Sequence, residues 1–69
     1  MTPETIDNNF IYHTPKEGQT ERYQAIREKL KEAVLLINGE CPESREKALA
    51  ITNIEQGMMW ANAAIARNE

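Results

Sequence analysis

One helical segment, Ser44 to Arg67, most constrains what this chain can fold into. Two rows of residues run along it at spacings of three and four, the periodicity of an amphipathic helix. One row is Ile51, Ile54, Met58, Ala61 and Ile65, and the other is Leu49, Asn53, Gln56, Trp60 and Ala64. A helix with two occupied faces needs more than one packing partner. We therefore expect one face to pack against the same chain and the other against a second copy.

A second helical segment precedes this one and has the same spacing. Its stripe consists of Tyr23, Ile26, Leu30, Ala33 and Ile37, widened by Val34. The pattern predicts a helix over residues 21–38, with Thr20 as N-cap and Gly39 after the last turn. The long helix would begin at Pro42 or at Ser44, so the connection is short and favours an antiparallel hairpin. With the Pro42 start, the long helix would extend about 12 Å beyond the first.

The N-terminal part has no helical periodicity. Residues 1–9 are expected to be irregular and flexible. Phe10 to Gly18, here called the arm, carries three large apolar residues, and Pro15 and Gly18 prevent a long helix. We expect an extended arm that lies over the helices, so that residues 10–69 form one domain. The predicted fold is all-α, an antiparallel two-helix hairpin with an extended N-terminal arm, assembled into a compact homo-oligomer.

Length and composition favour the oligomer and exclude several functions. Below roughly 70–80 residues one core seldom suffices, and this chain has 69 residues. Cys41 is the only cysteine and His13 the only histidine, so neither an intrachain disulfide nor a zinc site is expected. A net charge of −3 argues against long nucleic acids. Residues 1–9 have no secretory pattern and no segment could span a membrane, which favours the cytoplasm.

The candidate binding residues lie in the arm and on the first helix. Tyr12 and His13 offer stacking surfaces and Lys16 a cation, a combination that suits a nucleobase and its phosphate. Arg27 and Lys31 are four residues apart and therefore share a helical face. The alternative is that Tyr12 anchors the arm and the basic groups are solvated. No nucleophile with a base and an orienting group is apparent, so no catalytic residue and no cofactor is predicted.

Two segments of the chain resemble a known family. They are FIYHTPKEGQTERYQAIREKL and CPESREKALAITNIEQGMMWANAAIAR, and their most specific parts are Tyr12 to Pro15, Ser44 to Glu46 and Met59 to Arg67. They resemble the phage anti-CBASS sponges of cyclic oligonucleotides, whose helical-hairpin domain is shared with the anti-Thoeris sponges of cyclic ADP-ribose isomers.

The resemblance implies a function without catalysis. Such sponges are compact homo-oligomers, commonly hexamers, which sequester cGAMP-like cyclic dinucleotides, and in some members cyclic trinucleotides, in the cytoplasm of the infected bacterial host. It further implies that Tyr12 stacks on the bases and that Arg27, or else Lys31, meets the phosphates. Arg45 and Arg67 are candidates for a second, three-fold pocket. The alternatives are a sponge for a cyclic ADP-ribose isomer and a structural or adaptor oligomer that binds a protein through Trp60.

Overall fold

The computed structural model describes residues 1–69 and contains three helices and no strand. Helix α1 spans Pro3–Phe10, α2 spans Gln19–Glu40 and α3 spans Arg45–Asn68. The predicted all-α class is confirmed. None of the three helices combines the length and the apolar character that crossing a membrane requires.

Helices α2 and α3 form the predicted antiparallel hairpin, because contacts join opposite ends of the two helices. Lys47, near the start of α3, donates from Nζ to the carbonyl oxygen of Asn38 near the end of α2 (2.9 Å). At the other end, Gln19 Nε2 donates to Glu69 Oε1 (3.1 Å). The two predicted stripes that face each other are half-buried along their whole length, whereas the second row of α3 is exposed.

The predicted overhang of the long helix is wrong. Helix α2 has 22 residues and α3 has 24, so their lengths differ by about 3 Å. Gly39 does not end α2, because the helix continues to Glu40 and only Gly18 has a positive φ. The αL conformation of Gly18 (φ 81°) makes it the residue before α2, in place of Thr20. Helix α2 therefore has two more residues at each end than predicted.

Helix α3 begins after Ser44, the later of the two predicted starts. Ser44 Oγ accepts a hydrogen bond from the backbone N–H of Lys47 (3.1 Å), the usual contact of an N-cap residue. The Lys47 side chain is buried and pairs with Glu43 as well as with the Asn38 carbonyl. Its ammonium thus lies at the negative end of the α2 dipole and fixes the tight connection between the helices.

The N-terminal residues are helical, so their predicted irregular structure is wrong. Thr2 is the N-cap of α1 and accepts a hydrogen bond at Oγ1 from the N–H of Thr5 (3.1 Å). Pro3 occupies a position in the first turn, where its missing N–H costs nothing. Local capping therefore builds a helix that apolar periodicity does not indicate. The flexibility predicted for residues 1–9 stays a prediction.

The chain by itself has no apolar core. No hydrophobic residue is buried, and the only two buried residues are Gln19 and Lys47. The molecule measures 44 × 29 × 13 Å, and its smallest dimension is close to the diameter of a single helix, about 10–12 Å. The hairpin is therefore one layer of helices, whereas a stable domain packs at least two layers around its core.

The start of α2 is joined to the end of α3 by the carboxylate of Glu69. Arg22 pairs with both oxygens of Glu69, with Nη1 2.9 Å from Oε2, and Gln19 donates to Oε1. The hydrogen bonds from Arg22 and then from Gln19 lower the pKa of Glu69 from 4.5 to about 2. The same hydrogen bond raises the pKa of Arg22. This contact holds the open end of the hairpin together.

The Glu69 contact is expected to make stability depend on pH in the acid range. Because the pKa of Glu69 is lower in the folded state, the contact contributes fully above about pH 4.5 and is lost as the pH falls through about 2. Glu69→Gln should therefore lower the melting temperature at pH 7 and have a much smaller effect at pH 2, where about half of the Glu69 carboxyl groups are protonated. Glu17→Gln is the control, since Glu17 forms no ion pair. Equal effects of the two variants at pH 7 would contradict the role of Glu69.

Candidate functional site

The end of the hairpin that carries α1 contains a groove lined by two arginines. It has a volume of about 380 Å³ and lies between α1, the arm and the two long helices. We call it the arginine groove. It is lined by Asn9, Ile11, His13, Tyr23, Arg27, Asn62, Ala63, Ala66 and Arg67. Since α2 and α3 run antiparallel, Arg27 in the early part of α2 lies opposite the last turns of α3.

A second groove of about 330 Å³ lies on the other side of His13. We call it the arm groove, and Tyr12, Thr14 and Lys16 contribute to it from the arm. It shares His13, Ala66 and Arg67 with the arginine groove. The Tyr12 ring is 81 % exposed and therefore free to stack on a planar ligand.

Three hydrogen-bonding groups fix the boundary between these grooves. Asn8 Nδ2 donates to the backbone carbonyl of Arg67 (3.0 Å), which ties the last turn of α1 to the last turn of α3. The Asn8 carbonyl in turn bonds to His13 Nε2 (2.8 Å). Because a carbonyl can only accept, Nε2 carries the proton and the His13 ring is held by the end of α1. His13 Nδ1 forms no hydrogen bond within the chain.

A third groove, of about 270 Å³, lies along the middle of the hairpin. We call it the apolar groove, because five of its eight lining residues are hydrophobic. Arg27 and Lys31 both line it, as their four-residue spacing predicts, and Glu55 lies beside them. Arg27 thus belongs to two grooves, whereas Lys31 belongs only to the apolar one.

The charges of the lining residues distinguish the three grooves as anion sites. The arginine groove has Arg27 and Arg67 and no acidic residue. The arm groove combines Lys16 and Arg67 with Glu69. The apolar groove combines Arg27 and Lys31 with Glu55. Phosphate groups are best stabilised where guanidinium groups are present without a competing carboxylate. The arginine groove therefore has the most favourable electrostatics for an anionic ligand.

The structure divides the predicted site residues differently from the sequence. Tyr12, His13 and Lys16 lie together in the arm groove, and His13 also meets Arg27 in the arginine groove. Arg67, predicted for a separate pocket, lies with His13 in both. Arg45 is at the opposite end of α3, about 33 Å away along the helix axis, so one chain does not bring it to Arg67.

Of the residues that line the arginine groove, sequence reasoning assigned only His13, Arg27 and Arg67 to a site, and Tyr23 and Asn62 are among those it missed. Tyr23 was predicted only as part of the packing stripe, and it is half-buried there while also lining the groove. Asn62 was given no role in the site. Its Oδ1 is buried and accepts no hydrogen bond, a state that costs about 1–3 kcal/mol. The signal in the sequence that could have identified Asn62 is its position next to the predicted packing stripe.

The chain offers no evident site for a metal ion. His, Cys, Asp and Glu side chains nowhere form a group of three that could hold one. The only cysteine, Cys41, is exposed and lies in the turn between α2 and α3, away from the grooves. The grooves offer guanidinium groups, aromatic rings and amides, and these groups can bind an anionic, partly aromatic ligand.

Comparison with known proteins places this geometry in a family. The family model described as "Acb2/Tad1, hairpin domain" matches residues 2–66, nearly the whole chain. The chain belongs to this family. No curated protein and no solved structure matches it significantly.

The family membership confirms the resemblance that the sequence showed. The Acb2/Tad1 family comprises the phage anti-CBASS and anti-Thoeris sponges of cyclic nucleotide signals, known as sponges and not as enzymes. The match includes α1, the arm and the hairpin up to Ala66, so every groove described above lies within the family domain except at Arg67 and Glu69.

Proposed function

We propose that this protein sequesters cGAMP-like cyclic dinucleotides, and in addition cyclic trinucleotides, without cleaving them. The observation that carries the proposal is the arginine groove, where Arg27 and Arg67 lie together and all other lining residues belong to the matched sponge-family domain. A cyclic dinucleotide has two phosphates and two bases. Guanidinium groups suit the phosphates, and the rings of Tyr12, His13 and Tyr23 offer stacking surfaces nearby.

The proposed sponge is a homo-oligomer, and the commonest assembly of such proteins is a hexamer. The accessible surface of the chain is 5584 Å², whereas a folded monomer of 7.9 kDa exposes about 4,400 Å². The excess includes large apolar side chains, since Trp60 and Leu36 are 67 % and 64 % exposed. A second copy would cover this surface and provide the missing second layer.

Oligomerisation also gives the proposed site its symmetry. About a two-fold axis, Tyr12 of the arm groove and Arg27 of the arginine groove are each matched by the same residue of a second copy. Two copies of each residue would then meet the two bases and two phosphates of one ligand. The candidate second pocket with Arg67 and Arg45 needs different protomers, because the two residues lie at opposite ends of α3.

Sequestration would act in the cytoplasm of the infected host. The ligand is an immune second messenger, and a sponge lowers its free concentration below the threshold of the CBASS effector. Charge-assisted hydrogen bonds at about 1.5–3 kcal/mol each and stacking at about 1–3 kcal/mol per base are sufficient for nanomolar affinity. This tightness is what competition with an effector requires.

A second candidate function is a sponge for a cyclic ADP-ribose isomer. The observation in its favour is that the matching family model joins the anti-CBASS and anti-Thoeris proteins in one hairpin domain. Such a ligand also carries phosphates and an adenine, so the same groups would bind it. The two candidate functions are distinguished by the size of the ligand that fills the grooves of the assembled protein.

Isothermal titration of the purified protein tests both candidates. The panel contains cyclic dinucleotides of different linkage, a cyclic triadenylate and a cyclic ADP-ribose isomer, with mass spectrometry of the ligand recovered after heating. We expect nanomolar binding of a cyclic dinucleotide, one per two chains, and recovery of the intact ligand. One cyclic triadenylate per three chains would identify a three-fold pocket.

Other results would contradict the proposal in distinct ways. Linear or mononucleotide products would indicate an enzyme. Tight binding of only the cyclic ADP-ribose isomer would favour the second candidate. The absence of heat with every ligand would remove both sponges and leave an adaptor that binds a protein through the exposed Trp60 face.

A further inference from the structure

Asn62 is the residue of the arginine groove whose buried side-chain oxygen has no hydrogen-bond donor. It lies in α3, three residues after exposed Met59 and five before Arg67, and its side chain is half-buried. Its Oδ1 is buried without a donor, and its Nδ2 makes no hydrogen bond within the chain. Buried amides are normally paired, so this side chain gains free energy when a complementary group enters the groove.

The groups around Asn62 suit different parts of a nucleotide. Arg27 and Arg67 are the cations of the groove and suit phosphate oxygens. The side chain of Asn62 is neutral and has one donor and one acceptor side by side. Such a pair matches the edge of a base better than a phosphate, because a phosphate can only accept.

We propose that Asn62 reads the base of the bound nucleotide and favours adenine over guanine. The inference rests on the proposed sponge function and extends it to base selectivity. Adenine presents the N6 amino donor next to the N7 acceptor, and an Asn amide pairs with both. The same edge of guanine presents N7 and O6, two acceptors, of which the amide satisfies only one. The rings of His13 and Tyr23, which line the same groove, provide apolar surface for the base.

Titration calorimetry of the full chain with cyclic di-AMP and cyclic di-GMP tests this assignment. Wild-type protein should bind cyclic di-AMP at least about tenfold more tightly than cyclic di-GMP. Asn62→Leu, which has a similar volume but no amide, should weaken cyclic di-AMP binding by about tenfold or more and leave cyclic di-GMP almost unchanged. Asn62→Ala is a second variant in case leucine disturbs packing.

Asn68→Leu is the matched control. Asn68 is also on α3, but it is exposed, lines none of the grooves, and uses Nδ2 to bond to the Ala64 carbonyl (3.0 Å). The Asn68→Leu protein should bind both ligands as tightly as the wild type does. Melting curves of all variants, together with sedimentation mass, separate loss of recognition from loss of structure.

The outcomes separate this inference from the function on which it rests. Tight binding by the wild type with an unchanged base preference in Asn62→Leu would overturn base reading alone. So would a wild-type preference for cyclic di-GMP. An altered sedimentation mass in both Asn62 variants would overturn it in favour of a contact between copies. If the wild type binds neither of these two nucleotides, this inference fails, whereas the proposed function fails only if no other cyclic dinucleotide and no cyclic trinucleotide binds.

Discussion

Replacing Arg27 by alanine is expected to weaken cyclic dinucleotide binding by at least about 100-fold. Arg27 is the only residue that lines both the arginine groove and the apolar groove. It lies on a solvent-exposed face of α2 and makes no ion pair within the chain. Its guanidinium is therefore available to a phosphate, and no internal contact has to be broken first.

The size of the effect follows from symmetry. Each charge-assisted hydrogen bond contributes about 1.5–3 kcal/mol, and a two-fold pocket loses two of them at once. Titration calorimetry at fixed ionic strength measures the change. The melting temperature should hardly change, because Arg27 contributes no packing that an alanine would leave empty.

Lys29→Ala is the control for this prediction. It removes the same charge from the same helix, but Lys29 lines none of the grooves and pairs only with Glu32 (3.7 Å). Its effect on binding should be less than about threefold, since exposed charges at a distance are screened. A comparable loss in both variants would mean that general electrostatic attraction, and not a phosphate contact of Arg27, determines affinity. Lys31→Ala tests the fallback residue of the apolar groove in the same way.

The hairpin could be predicted from the sequence because its signal is periodic. Spacings of three and four identified the facing residues of both helices, such as Leu30 and Ile54, and each of them is half-buried. The second row of α3, which includes Trp60, is exposed in the single chain, and the packing of a helix face against a second copy stays a prediction. Many residues together determine which face of a helix is buried, so one misjudged position does not change the predicted face.

The helix ends and α1 depended on single residues and were predicted less well. Gly39 can end a helix only if it adopts a positive φ, and the contact of Lys47 with the Asn38 carbonyl satisfies that end in another way. Residues 1–9 were predicted to be irregular because they show no helical periodicity, although Pro3 favours the first turn of a helix when Thr2 precedes it as a cap.

The composition of the site depended on a contact that no local pattern reveals. Asn8 and Arg67 are 59 residues apart in sequence, and the hydrogen bond between them brings the end of α3 beside His13. This contact places Arg67 in the arginine groove and the arm groove, and its role in a separate pocket between protomers stays a prediction. The sequence identified most of the charged residues, and the fold decided which of them lie together.

Replacing Trp60 by alanine is expected to dissociate the oligomer, the largest structural effect of any single substitution considered. The predicted overhang of α3 does not support this expectation, since α2 and α3 are nearly equal in length. The structure provides a different reason. Trp60 is 67 % exposed on the outer face of α3, and the chain has no buried apolar residue that could stabilise a monomer.

The expected cost explains why dissociation should accompany unfolding. Truncating a buried Trp costs about 3–5 kcal/mol, and in a symmetric assembly every protomer bears this cost. A single layer of helices has no core to compensate for it. Sedimentation and melting curves over a range of protein concentrations should therefore show a smaller mass and a lower melting temperature for Trp60→Ala. Trp60→Phe keeps most of the apolar area, so its mass and melting temperature should lie between those of the wild type and those of Trp60→Ala. A Trp60→Ala protein with the mass and melting temperature of the wild type would show that no other copy covers the outer face of α3. An adaptor surface for a different protein would then be the better interpretation of Trp60.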